Sequence, residues 1–456
     1  MRVNVTNVVE RVRVADGGRQ IASQVGTHLV GGVAELLELP LELSEAIAPT
    51  VQRRSRHDRG RLLTQVALTL AAGGRCVTDV AVLRNQPSLF GEVASDATVW
   101  RTFDAVDEAT LDRVRDARAA ATARLLDRLD GGGPVIIDVD ASLFEIHSEQ
   151  KEGATPHFKG GFGFHPMFAF CEPAGVPLAG RLREGRAGAN DGDDHLTISD
   201  EAIGALPEAW RQGHRVGDDP ASVERGLLVR ADTAGYSHKV IGGLAARNCE
   251  FSIGMPANER FDTEIHRLRW SDWRPALTAD GQVRRGAQVA EIDVVPGWMP
   301  EGARVIVRRE RPHPGAPLKL WDHDGWRHQV IVTNQTGDAV ELERGHRQHA
   351  QVENRIKQLK DIGDARFPFT RFHANAAWLE TMLTASLLLA ATRRLLLSGE
   401  LADAEPRRLR HTLLSCPARL IRRARQTWLR LPDSWPWTDQ LLAAYRRLDL
   451  LAATPA

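Results

Sequence analysis

The chain has 456 residues, a length that suggests roughly three domains. About 43% of it is hydrophobic, 26% is charged, and the formal net charge is zero. These values exclude a small disulfide scaffold, a collagen-like chain and a mostly disordered one. No overall electrostatic pull toward nucleic acid or membrane is visible, but local patches decide binding. Only six of the 59 basic residues are Lys. Arg forks phosphate better than Lys does, although a GC-rich genome produces the same bias. Cys76, Cys171, Cys249 and Cys416 are far apart, without a C-x-x-C pair, so neither a zinc knuckle nor a disulfide framework is expected. A reducing cytoplasm suits such usage. The N-terminus opens without an apolar signal region. The longest apolar run, Met382 to Leu397, is broken by Arg393 and Arg394 and suits a buried helix better than a membrane span.

Residues 1–130 read as helical. Apolar stripes run over Gly31 to Ala48, Arg61 to Ala72 and Thr78 to Leu83, a capped helix starts near Ser95, and Leu111 to Leu129 is long and amphipathic. The basic stretch Arg53-Arg54-Ser55-Arg56-His57 precedes a helix, so this region holds either a helix-turn-helix or a plain bundle. Gly131-Gly132-Gly133-Pro134 breaks the pattern. Strands follow at Val135 to Asp140, Phe164 to Phe170, Leu178 to Arg183, Gly226 to Asp232 and Cys249 to Ile253, with helices at Thr197 to Trp210 and Ser237 to Arg247. Strands alternating with helices predict an α/β layer domain over 131–400. Residues 257–335 carry Trp270, Trp273, Trp298, Trp321 and Trp326 among strand-like runs and read as a β-rich insertion. Asp338 to Asp361 and Ala374 to Leu397 read as helices. Residues 401–456 read as a basic helical tail, with eight Arg and no acid from Pro406 to Arg430.

Asp140 and Asp232 each end an apolar strand. Ligands sit at strand ends in open α/β sheets. Two acids brought together there, with a third, would repel one another unless a hard divalent cation lay between them. Two such ions can serve phosphodiester chemistry. The bland alternative is that each Asp caps the following turn. Asp138 points to the same strand face as Asp140 and is its rival as first ligand. The third acid is Glu353. His346, His349, Glu353 and Lys360 share one helical face, which a merely solvated charged face would also explain.

That spacing resembles the Tyr-x2-Arg-x3-Glu-x6-Lys helix of bacterial insertion-sequence DDE transposases, in the insertion-sequence 1380-like group. Glu353 and Lys360 match, and His346 and His349 stand where that class has Tyr and Arg. Arg347 is a neighbouring source of the missing guanidinium. Asp138-Val139-Asp140-Ala141-Ser142-Leu143 resembles the first-Asp strand, and Lys159-Gly160-Gly161-Phe162-Gly163-Phe164-His165-Pro166 a following hairpin. Arg230-Ala231-Asp232-Thr233-Ala234-Gly235-Tyr236 resembles the second-Asp motif, and Asn190 a family loop. The acids fall in the order Asp, Asp, Glu at separations of about 92 and 121 residues, and the resemblance covers about 135 to 395.

The resemblance implies an RNase H-like catalytic core in which Asp140, Asp232 and Glu353 bind two Mg²⁺ or Mn²⁺ ions. It implies cleavage of terminal inverted repeats, joining to target DNA, and a homodimer assembled on double-stranded DNA in a bacterial cytoplasm. Residues 1–130 would then recognise DNA ends or dimerise. His346, Arg347, His349, Arg355, Lys357, Lys360 and Trp298 are the candidate DNA contacts; Trp321 and Trp326 compete with Trp298 for stacking on a base. The Arg run from Arg407 to Arg430 could neutralise phosphates. Two other readings are a DNA-binding remnant without catalysis, and a zinc hydrolase using His346, His349 and Glu353 with His147, His157 or His165.

Overall fold

The computed structural model describes residues 20–51, 56–129, 132–256, 259–312, 322–323, 325–423 and 426–453. Arg53, Arg54, Ser55, Gly131 and Trp321 lie outside them. The N-terminal stretch folds into helices α1 (Val25–Leu36), α2 (Leu39–Ile47), α3 (Arg59–Ala71), α4 (Asp96–Asp104) and α5 (Glu108–Arg128), with shorter helical turns at Val77–Val80, Ala81–Arg84 and Pro87–Phe90 between α3 and α4. Local chemistry sets several starts. Asp58 accepts from the Arg61 N–H and Asp107 from the Thr110 N–H, each satisfying a free amide of the first turn.

The chain then forms strands β1 (Val135–Ala141), β2 (Met167–Glu172) and β3 (Val176–Arg181), helix α6 (Gly192–Gly204), strand β4 (Leu227–Ala231), helix α7 (His238–Ala245) and strand β5 (Glu250–Met255). β2 lies between β1 and β3 and is antiparallel to both, while β4 lies parallel to β1, and β5 parallel to β4. Two expected boundaries move for local reasons. The run from Phe164 to Phe170 is interrupted at His165-Pro166, because Pro lacks a ladder donor. The helix expected over 197–210 starts earlier, where Asp191 caps the N–H groups of Asp193 and Asp194.

The stretch 257–335 does not stand apart from this sheet but extends it. Strands β6 (Arg274–Leu277), β7 (Val283–Ile292), β8 (Arg304–Glu310) and β9 (Trp326–Thr333) are joined antiparallel, and β9 pairs with β5. The sheet order is β6-β7-β8-β9-β5-β4-β1-β2-β3, with a short strand at 322–323 beside β9. The added strands bury both faces: Val305 and Val307 enter one apolar cluster, and Ile306 enters another.

Helices α8 (Ala339–Arg347) and α9 (Gln351–Asp361) follow, joined by a 3₁₀ turn at Gln348–Ala350. Helix α10 (Phe372–Ala391) is apolar on every face and is buried along almost its whole length. Phe372–Leu396 is long and apolar enough to cross a membrane, yet it is the central core helix here. A buried ion pair, Arg118 Nε to Glu380 Oε2 at 2.8 Å, ties α5 to α10. The main buried cluster runs from Val25 to Leu448, so helices at both ends of the chain share one core with β1 to β5.

The basic tail is not helical throughout, as the sequence had suggested. It forms a hairpin of β10 (Ala418–Arg423) and β11 (Gln426–Arg430), followed by helix α11 (Thr438–Ala453). Pro417 follows the preceding helical turn, and the strand that comes after it is fixed by pairing with β11 rather than by any alternation in its sequence.

Candidate active site

Register places two pairs of residues side by side at the carboxyl ends of β1 and β4. Asp138 lies beside Arg230, and Val139 beside Ala231. Asp140 and Asp232 are therefore neighbours, one step beyond the last position paired between β1 and β4, while Asp140 still pairs with Phe168 of β2. On the next strand Arg230 lies beside Ser252 and Ala231 beside Ile253. Gly254 then borders the Asp232 turn. A side chain there would come within 3.0 Å of the Thr233 amide nitrogen, so glycine permits the close approach.

The helical segment α8–α9 crosses these three parallel strands. His346 Nδ1 lies 3.0 Å from Ser252 Oγ, and His349 Nδ1 lies 3.1 Å from Asp138 Oδ1. Arg230 grips Asp138 with two bonds of 2.6 and 2.7 Å and donates a third, of 2.5 Å, to the Gly345 carbonyl. Asp138 is fully buried, and Arg230 is 2% exposed. Burial, helped by His349 and Arg230, pushes His346 down to about 3, so its imidazole is neutral.

Asp140 meets different neighbours. It is half-buried, and its carboxylate accepts from the Ala141 N–H at 2.7 Å. Burial and then the Asp232 carboxylate push its carboxyl up to about 6; Glu353 adds to the rise, and His349 opposes it. Asp232 is exposed, and one of its oxygens accepts from the Ala234 N–H at 2.9 Å, capping a 3₁₀ turn. Capping and an open second oxygen thus coexist in one side chain. Glu353 lies in the first turn of α9, exposed and without a side-chain partner among the described residues.

The three acids therefore share one electrostatic environment. Among the described residues, however, no group of three or more His, Cys, Asp or Glu side chains is gathered closely enough to hold a metal ion. The donor set still fits a hard divalent cation: three carboxylates, two of them raising the third, with no Lys or Arg ion-paired to any of them among the described residues. It does not fit the zinc alternative, because His346 and His349 are committed to Ser252 and Asp138.

The remaining candidates fall in several places. Lys360 reaches the exit of β1, donating to Ser142 Oγ at 2.7 Å and the Leu143 carbonyl at 2.8 Å. Its ammonium is held below its usual range chiefly by burial. Arg347 turns toward the added strands, binding Glu343 at 3.0 Å and the Leu277 carbonyl. Arg355 points away from the acids to Glu172, with bonds of 2.7 and 2.9 Å, at the opposite end of β1. It lines a cavity of about 840 Å³ there, together with Cys171, Trp210 and Arg394. Lys357 is exposed.

Trp298, 38% exposed, packs edge-on against Tyr236 and His238, at ring distances of 5.9 and 5.2 Å, next to the Asp232 turn. Trp326 instead sits under Arg309 and Arg311 on the added strands. A second cavity, of about 410 Å³, opens beside Asp232 and is lined by Gly254, Arg308, Gln329 and Arg347.

Sequence reasoning missed Arg230 as a partner for Asp138. The signal was available: Arg230 precedes Asp232 by two residues, as Asp138 precedes Asp140, and parallel neighbours in register bring such positions together.

An open α/β sheet with acids at adjacent strand ends and on a crossing helix is an arrangement in which ligands sit at the strand ends. Residues 6–453 match the family model Transposase DDE domain group 1, and the chain belongs to that family. No curated protein matches the sequence. Among solved structures, the cryo-EM structure of piggyBac transposase synaptic complex with hairpin DNA overlaps with a TM-score of 0.43 and 11% identity, over 87% of this chain and 83% of that one.

Proposed function

We propose that this chain is a metal-dependent DNA transposase of bacterial insertion-sequence type, which cuts the terminal repeats of its element and joins them to target DNA. In this reading β1 to β5, with α6, α7 and α9, form an RNase H-like core. The strands β6 to β9 are its insertion, residues 1–130 serve end recognition or dimerisation, and the working form is a homodimer on DNA in a bacterial cytoplasm.

Asp140, Asp232 and Glu353 would hold two Mg²⁺ or Mn²⁺ ions. Bound there, the ions would activate a nucleophile and stabilise the leaving oxygen of a phosphodiester. The chain's own groups prepare that site. Burial, together with repulsion from Asp232 and then Glu353, pushes the Asp140 carboxyl up to about 6. A cation would relieve that repulsion and release the proton. Lys360 fixes the loop that leaves β1, and Trp298 offers a half-exposed ring beside Asp232 for stacking against a base. The observation that carries the proposal is the register that sets Asp140 and Asp232 side by side at neighbouring strand ends, with Glu353 in the first turn of α9 close enough to act on Asp140.

The test is cleavage of a labelled duplex bearing the repeats that flank the gene, in Mg²⁺ and in EDTA. Wild type should cut at the repeat boundary only with the metal. Asp232→Ala and Glu353→Gln should each lose about a thousandfold or more, an effect of the size expected when charge stabilisation in the transition state is removed. Cutting that survives both substitutions would place the chemistry elsewhere.

A further inference from the structure

We propose that the outward face of the β10–β11 hairpin, carrying Arg419, Arg423, Arg430 and Trp428, is a docking surface for the phosphate backbone of duplex DNA. The proposal rests on the DNA-processing reading above and assigns part of its substrate contact to a place away from the acids.

Register defines the face. Arg419 lies directly opposite Arg430, Ile421 opposite Trp428, and Arg423 opposite Gln426. Residues directly opposite and residues two apart share a face, so these six lie together. The other face carries Leu420, Leu429, Arg422 and Thr427, and Leu429 packs against the main core. The first face is therefore turned to solvent. Its three arginines are exposed, and Trp428 is 57% exposed.

Two like charges directly opposite one another on neighbouring strands destabilise a hairpin. Nothing local offsets them. The chain has no acid between Pro406 and Arg430, and Arg419, Arg423 and Arg430 have no ion-pair partner among the described residues. Elsewhere the protein usually commits its guanidinium groups: Arg118, Arg230, Arg247, Arg304 and Arg355 all grip carboxylates. An unneutralised arginine pair on an otherwise well-formed hairpin is the arrangement an external anion would complete. The exposed indole beside it adds a flat apolar surface of the kind that packs against sugars and bases.

The hairpin is also held firmly. β10 pairs with Ile21 and Ala22, and the Leu420 N–H donates to the Gln20 carbonyl at 2.7 Å. The segment leading into it is anchored by Arg410, which donates to the Asp361 carbonyl at 3.1 Å, at the end of the helix carrying Glu353. Arg419 and Arg423 are four residues apart, roughly 13 Å in a strand, which matches the rise of about four phosphates along one DNA strand.

The experiment titrates full-length wild type and the triple variant Arg419→Gln, Arg423→Gln, Arg430→Gln against a fluorescent duplex lacking the element's ends. EDTA is present, and salt is varied. At about 0.9 per phosphate contact, the slope of log affinity against log salt should flatten by about 2 to 3 in the variant. Arg422→Gln, on the opposite face, should change it by less than about half a unit. The triple variant should melt at the same temperature as wild type or higher, because the repulsion between Arg419 and Arg430 is gone. Should it misfold, single Arg→Gln variants, each losing about one unit of slope, and single Arg→Lys variants that retain it, serve instead.

An unchanged slope would overturn the proposal. So would a slope change in Arg422→Gln as large as in the other single variants, or binding of polyglutamate without binding of the duplex. The two readings fail separately. An unchanged slope with intact Mg²⁺-dependent cleavage sinks the hairpin assignment alone, and a flattened slope without any such cleavage sinks the catalytic reading alone.

Discussion

Asp138 and Asp140 are two residues apart on one face of one strand, yet they occupy opposite electrostatic layers. The lower layer is closed. Asp138 is fully buried, takes two bonds from Arg230 and a third contact from His349, and leaves little charge uncompensated. The upper layer is open. Asp140 faces Asp232 and Glu353 with no cationic partner among the ion pairs of the described residues, and its carboxyl is pushed up to about 6. A charge removed from water must find its partner inside the protein. A charge at a strand end can be left for a cation from solution. On this difference the proposed ligand set takes Asp140 rather than Asp138, since Asp138 is already held by Arg230 and His349.

The largest expected effect lies in the closed layer. Arg230→Met would leave Asp138 buried and without its fork, at a cost of about 3–5 kcal/mol. Urea denaturation would read it as a fall in midpoint. Adding Asp138→Leu to that variant should restore most of the loss, because an apolar pair of similar volume avoids desolvating either charge. A cost below about 1 kcal/mol for Arg230→Met would mean that water reaches Asp138, and the contrast between layers would collapse.

The open layer should respond in the opposite direction. The Asp140 carboxyl titrates near 6 in the folded chain, against an ordinary value of 3.8. The folded state therefore binds this proton more tightly than the unfolded one, and wild-type stability falls as pH rises from about 4 to about 6. Asp140→Asn removes that penalty. It should stabilise the metal-free protein by about 1–3 kcal/mol at pH 7.5, and the gain should vanish below about pH 4. Mg²⁺ should raise the melting temperature of wild type at pH 7.5 and leave that of Asp140→Asn nearly unchanged. A gain independent of pH would show that ionisation of Asp140 is not its cause.

Much of the open layer was legible because the relevant signals are local. An apolar run ending in Asp marks a strand end whatever surrounds it, as at Val135–Asp140 and Leu227–Asp232, and helical offsets bring His349 and Glu353 onto neighbouring turns. The closed layer was harder to read because it depends on the register between strands about 90 residues apart, which periodicity does not encode. Hence His349 was expected at DNA and was found on Asp138, and Arg355 on Glu172. The basic tail misled for another reason. Arg has high helix propensity, and the run Arg419 to Arg423 carries no two-residue alternation to oppose that prior; only pairing with Gln426–Arg430 makes it a strand.

The smallest effect asks whether the layers are coupled. His349 is one helical turn before Glu353, so its contact with Asp138 fixes the helix that presents the third acid. His349→Phe keeps the ring volume but removes that contact, and Asp138 retains both bonds from Arg230. The stability loss should therefore be modest, about 1–2 kcal/mol. If the closed layer positions the open one, the variant should also need several-fold more Mg²⁺ to reach half-maximal cleavage or half-maximal thermal stabilisation. Its rate at saturating Mg²⁺ should then approach that of wild type, because Glu353 itself is intact and excess ion restores occupancy. An unchanged Mg²⁺ requirement alongside the same stability loss would mean that Asp138, Arg230 and His349 only hold the fold, and that Glu353 is placed by the packing of Val352, Ile356 and Leu359 beneath α9.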